Sequence, residues 1–128
     1  HGSTFGGNPL AAAVVIEALS VVKEEHLSDK AARLGKIFRN RMTAFLGKTK
    51  LIKGVRGKGL LNAILVNDTP QSETAWNICM EFSRNGLLAK PTHGNIIRLA
   101  PPLVITEDQI HECCDIIEKS ILAIENQQ

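Results

Sequence analysis

The first nine residues combine hydroxyl side chains with glycines just before an apolar stretch that is typical of a helix. Ser3 and Thr4 can donate hydrogen bonds, and the glycines around them leave backbone amides accessible. Hydroxyls and free amides at the start of a helix are suitable donors to a phosphate group. The same residues also suit a glycine-rich connector that ends in a helix cap. The segment therefore indicates either a phosphate site or a capped connector.

Arg98 is the second candidate for chemistry, because it interrupts the apolar segment of residues 96–99. Burying a guanidinium group is costly unless a carboxylate pairs with it. The planar guanidinium also binds a carboxylate through two parallel hydrogen bonds. Arg98 is therefore predicted to bind a carboxylate, either that of a ligand or that of a structural salt bridge.

Three other reactive or aromatic residues have simpler interpretations. Lys58 lies between two glycines and is predicted to be a turn residue, and the Gly57–Gly59 spacing is too short for a nucleotide-binding fingerprint. His93, in the loop beside the Arg98 strand, is predicted to brace that loop or to face solvent; a place on an active-site approach is the alternative. Trp76 is predicted to belong to the core.

The three cysteines, Cys79, Cys113 and Cys114, form no Cys-x-x-Cys pattern. An odd number with two adjacent members is typical of reduced thiols in an intracellular compartment, not of a disulfide framework. Adjacent helical residues point about 100° apart, so joint metal ligation by Cys113 and Cys114 is awkward. We predict no metal site and expect the thiols to pack as small apolar groups.

Composition and charge restrict the class of protein. Of 128 residues, 44% are hydrophobic, and 15 basic against 13 acidic residues give a net charge of +2. These values exclude a disordered tail and argue against a strongly basic nucleic-acid-binding module. The longest apolar runs, residues 10–16 and 99–105, are far shorter than the roughly 20 residues that cross a membrane. We predict a globular domain without nucleic-acid or membrane partners.

Four helices are predicted from capping residues and apolar spacing. The first helix follows the Asn8-Pro9 cap, and the second runs from Ser28 towards Gly47. The third spans residues 72–85, and the fourth follows a capping box at residues 106–109. The first, residues 10–22, is apolar on almost every side, so we expect neighbouring domains or subunits to bury it. The second has an apolar face at spacings of three and four, namely Leu27, Ala31, Leu34, Phe38, Met42 and Phe45.

Four short strands are predicted at residues 51–56, 60–66, 87–90 and 95–99. Glycine and proline at residues 57–59, 67–70 and 91–94 supply the intervening turns or loops. The order helix, helix, strand, strand, helix, strand, strand, helix favours an α+β domain. In such a domain the helices pack on one face of a small, mainly antiparallel sheet.

The opening string His-Gly-Ser-Thr-Phe-Gly-Gly-Asn-Pro resembles a motif of the class III (subgroup II) aminotransferases, which depend on pyridoxal 5'-phosphate. The resemblance implies that Ser3 and Thr4 reach across a dimer to the cofactor phosphate of the other subunit. It also implies that the Schiff-base lysine precedes this motif. Lys58 is therefore not that lysine, and no catalytic residue is expected in this chain.

Residues 55–61 resemble the strand that opens the C-terminal small domain in this class, and residues 86–103 are similar to the ornithine aminotransferases in particular. The Ala-Lys-Pro-Thr-His-Gly loop of residues 89–94 is the most restricted part of the match. The resemblance implies that Arg98 binds the α-carboxylate of 2-oxoglutarate or glutamate. It also implies that Arg98 pairs with an upstream glutamate when ornithine is bound.

The resemblance covers essentially the whole chain and implies that the chain is the C-terminal part of a fold-type I enzyme. Residues 1–26 would form the phosphate motif and a linking helix, and residues 27–128 the small domain. The start at His1, without an initiator Met, favours the same expectation. The implied reaction transfers the δ-amino group of ornithine to 2-oxoglutarate, giving glutamate 5-semialdehyde and glutamate. The 128 residues alone are expected to be inactive, because they lack the lysine.

The implied enzyme is a homodimer or a higher homo-oligomer in the mitochondrial matrix, with the cytoplasm as the alternative. Two other functions stay open. One is a different class III aminotransferase, which acts on acetylornithine or 4-aminobutyrate. The other is a non-catalytic dimerisation or binding module with the same fold.

Overall fold

Residues 2–4 and 6–126, which the computed structural model describes, form four α-helices and one four-stranded antiparallel sheet. The helices are α1 (Pro9–Glu24), α2 (Leu27–Phe45), α3 (Thr74–Arg84) and α4 (Glu107–Glu125), and a 3-10 turn, Leu46–Lys48, follows α2. The strands are β1 (Ile52–Lys58), β2 (Leu61–Val66), β3 (Lys90–Thr92) and β4 (Ile96–Leu99), in the order β1-β2-β4-β3. The α+β class and the predicted order of elements are confirmed.

The core lies between the sheet and helices α2, α3 and α4. Ile64 on β2 and Ile97 on β4 are register partners, and both are fully buried. Helix α2 buries all six residues of its predicted apolar face. Helix α4 adds a second buried stripe, formed by Ile110, Cys114, Ile117 and Ile121. This shared burial of apolar side chains is the main stabilising contribution to the domain.

The start of α4 is fixed by the predicted capping box. The Thr106 backbone N–H donates to Gln109 Oε1 at 2.9 Å, and the Gln109 N–H donates to Thr106 Oγ1 at 3.2 Å. Two backbone donors that the first helical turn leaves free are satisfied in this way. Arg41 of α2 also donates to Glu118 of α4 at 2.8 Å, which joins the two helices at their surface.

Two predictions about α3 and β3 are wrong in detail. Trp76, expected in the core, is 56% exposed. The cause is helical periodicity, because the buried stripe of α3 falls on Ala75, Ile78, Cys79 and Phe82. Strand β3 begins at Lys90 instead of residue 87, so the pairing with β4 includes Pro91 and Thr92. A proline is tolerated there because β3 is an edge strand.

Helix α1 begins as expected at the Asn8-Pro9 cap but buries none of its residues. Leu10 is 75% exposed, and Val14, Ile16 and Leu19 are each more than 60% exposed. The helix contacts α2, which covers only a small part of its surface. The expectation that other domains or subunits bury α1 therefore stays a prediction.

Helix α2 approaches the turn between β1 and β2 so closely that only glycine fits at residue 35. A Cβ atom at Gly35 would lie 1.7 Å from the carbonyl oxygen of Gly59. Arg39, one helical turn later, donates to that carbonyl at 2.9 Å and to Asn62 Oδ1 at 2.8 Å. Gly59 adopts a φ of 55°, which favours glycine in the turn itself. The helix therefore fixes the turn at which β1 ends.

We predict that Gly35→Ala destabilises the domain by about 1–3 kcal/mol, because the added methyl group must displace α2 from the turn. In an open helix the same change would stabilise by about 1 kcal/mol through helix propensity. Urea and thermal unfolding of the two proteins would measure the difference. Gly47→Ala is the matched control, since a Cβ there meets no atom within 4 Å. An equal effect of both substitutions would contradict the close contact.

Candidate functional site

The face of the sheet that is turned away from the core carries Arg98. In β4 the neighbours Ile97 and Leu99 are buried, so the alternation of the strand directs Arg98 to the opposite face. Arg98 is exposed, and the cost of burial that the sequence suggested does not arise. No Asp or Glu within the described ranges forms a salt bridge with its guanidinium group. The alternative of a structural ion pair is therefore not seen in this part of the chain.

The strand register places other side chains on the same face. Arg98 is the register partner of Ala63 on β2 and of Lys90 on β3, and Ala63 is the partner of Arg56 on β1. Directly opposed residues of antiparallel strands point to one face of the sheet. Arg56, Ala63, Arg98 and Lys90 therefore form one row across the open face.

A shallow depression of about 350 Å³ lies on this face. It is lined by Arg56, Gly57, Lys58, Leu61, Asn62, Ala63, Thr92, His93, Ile96 and Arg98. Several of these side chains are cationic and none carries a carboxylate, so the depression attracts anions. Its chemistry suits a ligand with a carboxylate group, because arginine binds carboxylates through two hydrogen bonds.

Lys58 and His93 both lie at this depression, although neither was predicted to bind a ligand. Lys58 is the last residue of β1 instead of a turn residue, because the pairing of β1 with β2 extends to Leu61. His93 is exposed and occupies the turn between β3 and β4 with a left-handed φ of 49°. Its position agrees with the expected exposed loop histidine, and it also lines the depression.

The turn that carries His93 rests on the turn between β2 and α3. Asn95 Nδ2 donates to the Asp68 carbonyl oxygen at 3.0 Å. The Asp68 carboxylate accepts from Thr74 Oγ1 at 2.5 Å and from the Thr69 N–H at 2.7 Å. The hydrogen bond from Thr74 is the main cause that lowers the pKa of Asp68 below its ordinary value. The Asp68 carboxylate thus holds its own turn, and the Asp68 backbone carbonyl joins that turn to the one that carries His93.

The hydroxyls predicted to bind phosphate lie in the segment before α1. Ser3 and Thr4 are both exposed, and the Gly6 N–H donates to the Ser3 carbonyl oxygen at 3.2 Å, which closes a turn. Asn8 Oδ1 accepts from the amides of Leu10 at 2.9 Å and Ala11 at 3.2 Å, which confirms the helix cap. His1 and Phe5 lie outside the described residues. Ser3 and Thr4 are not among the residues that line the depression at Arg98.

The sequence also matches a known family. A sequence model described as Aminotransferase class-III matches residues 1–121. The chain belongs to the class-III aminotransferases. Members of this family are enzymes that use the cofactor pyridoxal phosphate. The exposed hydroxyls of Ser3 and Thr4 suit its phosphate group, and the space beside Gly2 and Gly7 is open.

Individual relatives of this class-III aminotransferase chain are similar along almost all of it. Ornithine aminotransferase of Emericella nidulans is 52% identical over 127 residues, which are 98% of this chain and 28% of that protein. The mitochondrial ornithine aminotransferase of Rattus norvegicus is 52% identical over 123 residues, 96% of this chain and 27% of that protein. The structure of acetylornithine aminotransferase from Elizabethkingia anophelis has a TM-score of 0.91 at 66% identity, over 96% of this chain and 32% of that one. The chain thus spans little more than a quarter of the length of these curated relatives.

Sequence reasoning missed two residues of the open face, Arg56 and Lys90. Both belong to segments that carry the family resemblance, but only the register puts them in a row with Arg98.

No trio of His, Cys, Asp or Glu side chains suited to a metal ion occurs within the described part of the chain. In the same part, no helix has the length and apolar character needed to cross a bilayer.

We predict that Gly94→Ala destabilises the domain more than Gly86→Ala does. A Cβ at Gly94 would lie 1.7 Å from the Pro70 carbonyl oxygen, whereas a Cβ at Gly86 meets no atom within 4 Å. Both residues have positive φ, so each change includes about 1–2 kcal/mol of backbone strain. Thermal unfolding of the two variants isolates the contact between the turns. Equal losses of stability would show that this contact does not hold the His93 turn in place.

Proposed function

We propose that this chain is the C-terminal part of an ornithine δ-aminotransferase. The enzyme would transfer the δ-amino group of ornithine to 2-oxoglutarate, which gives glutamate 5-semialdehyde and glutamate. The main support is the position of Arg98, exposed on a cationic face that has no acidic residue in its depression. The two curated ornithine aminotransferases, each 52% identical over nearly the whole chain, support the choice of amino donor.

In this proposal Arg98 binds the α-carboxylate of 2-oxoglutarate or glutamate. Its guanidinium group has no carboxylate partner within the described residues, so its donors are available. Two parallel hydrogen bonds would orient the substrate as well as hold it. The neighbours Ile97 and Leu99 are anchored in the core, which keeps the backbone of Arg98 rigid.

Ser3 and Thr4 would hold the phosphate group of pyridoxal 5'-phosphate bound by the partner subunit of a homodimer. When bound, this cofactor supplies the electron sink for the reaction, and the protein supplies orientation and charge. The exposed apolar sides of α1 support an assembly, because such a surface is usually covered by protein. The relative from Rattus norvegicus is named mitochondrial, which supports a mitochondrial location, and we propose the matrix as the compartment of the full-length protein.

A second candidate is an acetylornithine aminotransferase. The structure from Elizabethkingia anophelis that carries this name is 66% identical to the chain, which favours this alternative specifically. The full-length protein should be assayed with ornithine, N-acetylornithine and 4-aminobutyrate as donors and 2-oxoglutarate as acceptor. We expect the highest kcat/KM for ornithine. A higher value for N-acetylornithine would replace the proposed donor, and no activity with any amine would favour a non-catalytic module.

We predict that Arg98→Lys in the full-length enzyme lowers kcat/KM of the 2-oxoglutarate half-reaction by about 10- to 100-fold, since lysine cannot form two parallel hydrogen bonds. Single-turnover absorbance measurements would follow each half-reaction separately. Arg84→Lys is the matched control, because Arg84 lies on α3 and pairs with Glu81 at 3.0 Å. Unchanged kinetics of Arg98→Lys in both half-reactions would make Arg98 a purely structural residue.

We predict that Thr4→Ala weakens cofactor retention, because one hydrogen bond to a charged phosphate, worth about 1–3 kcal/mol, is lost. Equilibrium dialysis against pyridoxal phosphate would measure the change in Kd. Thr4→Ser should retain most of the affinity, since it keeps the hydroxyl. Thr69→Ala, at an exposed turn, is the control. An unchanged Kd for Thr4→Ala would favour the alternative of a simple helix-cap connector.

A further inference from the structure

The row across the open face places like charges next to each other. Lys90 lies directly opposite Arg98, and Arg56 follows on the other side of Ala63. Like charges at directly opposed positions destabilise a sheet. The backbones of Arg56 and Arg98 are two strand spacings apart, roughly 10 Å, so their long side chains can approach each other over the small Ala63. An anion bound at the row would offset this repulsion, so the arrangement favours anion binding.

The other arginines of the chain differ from Arg56 and Arg98 in having partners. Of the six arginines, four donate to carboxylate, carbonyl or amide oxygens of the protein; these are Arg33, Arg39, Arg41 and Arg84. Arg56 and Arg98 make no side-chain hydrogen bond or salt bridge to any described residue. The two arginines without a partner in the described ranges are thus the two that share a row on the open face.

The rows on either side of this one supply no carboxylate. One contains Lys58 and Leu61, and the other contains Gly54, Leu65, Ile96 and Thr92. No acidic residue of these strands lies on the open face to offset the repulsion among Arg56, Arg98 and Lys90. The ligand that suits the row is an anion that accepts hydrogen bonds from guanidinium groups.

We infer that Arg56 and Lys90 act with Arg98 as one carboxylate-binding row. Arg98 contacts the substrate carboxylate, and Arg56 and Lys90 are positioning residues that increase the affinity for it through their charges. This inference rests on the proposed function, since it assigns the anion to the acceptor substrate. It extends the site from one arginine to three cations on three strands of the sheet.

The test uses the full-length, cofactor-loaded protein and glutarate, a dicarboxylate that has no oxo group to react. Binding should be measured by calorimetry at two salt concentrations for Arg56→Gln, Lys90→Gln and Arg98→Gln. Arg84→Gln and Lys53→Gln are matched controls, because each removes one cation that is not in the row; Arg84 pairs with Glu81 on α3, and the charge of Lys53 helps to lower the pKa of Asp68. Circular dichroism would confirm that every variant is folded.

We expect Arg56→Gln and Lys90→Gln each to weaken glutarate binding by about three- to tenfold and to reduce its dependence on salt. Arg56→Lys should restore most of the affinity, since the role depends on charge. The two controls should bind glutarate like the original protein. A structural role of Arg56 or Lys90 would change stability without changing the salt dependence.

Wild-type affinity and salt dependence in Arg56→Gln and Lys90→Gln, with a loss in Arg98→Gln alone, would overturn the inference and leave the proposed function intact. Conversely, a protein that binds glutarate through the row but does not transaminate ornithine would refute the proposed amino donor while supporting the row. Glutarate binding that is equally weak in all three row variants and both controls would also overturn the inference, because only total charge would then matter.

Discussion

The pairing of β2 with β4 determines which side chains of these two strands lie in the core and which lie on the open face. Ile64 and Ile97 are register partners in the core, and the adjacent pair, Ala63 and Arg98, therefore lies on the open face. A slip of this register by one residue would exchange the two faces of β4, which would bury Arg98 and expose Ile97. The burial of Ile97 thus positions Arg98, and one hydrophobic contact fixes both the core and the candidate site.

The turns at the edges of the depression depend on contacts where no space is left for a side chain. Gly35 of α2 touches the turn that ends β1, and Gly94 touches the Pro70 carbonyl group beside the turn that carries His93. The first contact ties a turn of the open face to helix α2, and the second ties the His93 turn to the turn between β2 and α3. As a result, the cations of the open face are placed by rigid elements, which is the arrangement that precise substrate binding needs.

The chain contributes two chemically different groups to the proposed enzyme. The hydroxyls of Ser3 and Thr4 lie in the segment before α1, and the cations lie on the sheet. Helix α1 separates the two groups in sequence and exposes most of its apolar side chains. The chain belongs to the class-III aminotransferases and spans little more than a quarter of the length of the curated relatives it matches.

Neighbouring residues and local spacing were enough to predict the order of elements, the cap at Asn8 and the capping box at Thr106. Arg98 was selected for a cost of burial that the fold does not impose, and its role as a ligand residue rests on the family resemblance. Trp76 was misplaced because a helix has only one buried stripe, and its direction depends on what packs against it. The exposure of Arg98, and the row that it shares with Arg56 and Lys90, follow from the strand pairing of the folded domain. They were not predictable, because strand register joins residues far apart in sequence and neither composition nor local spacing encodes which of them become neighbours.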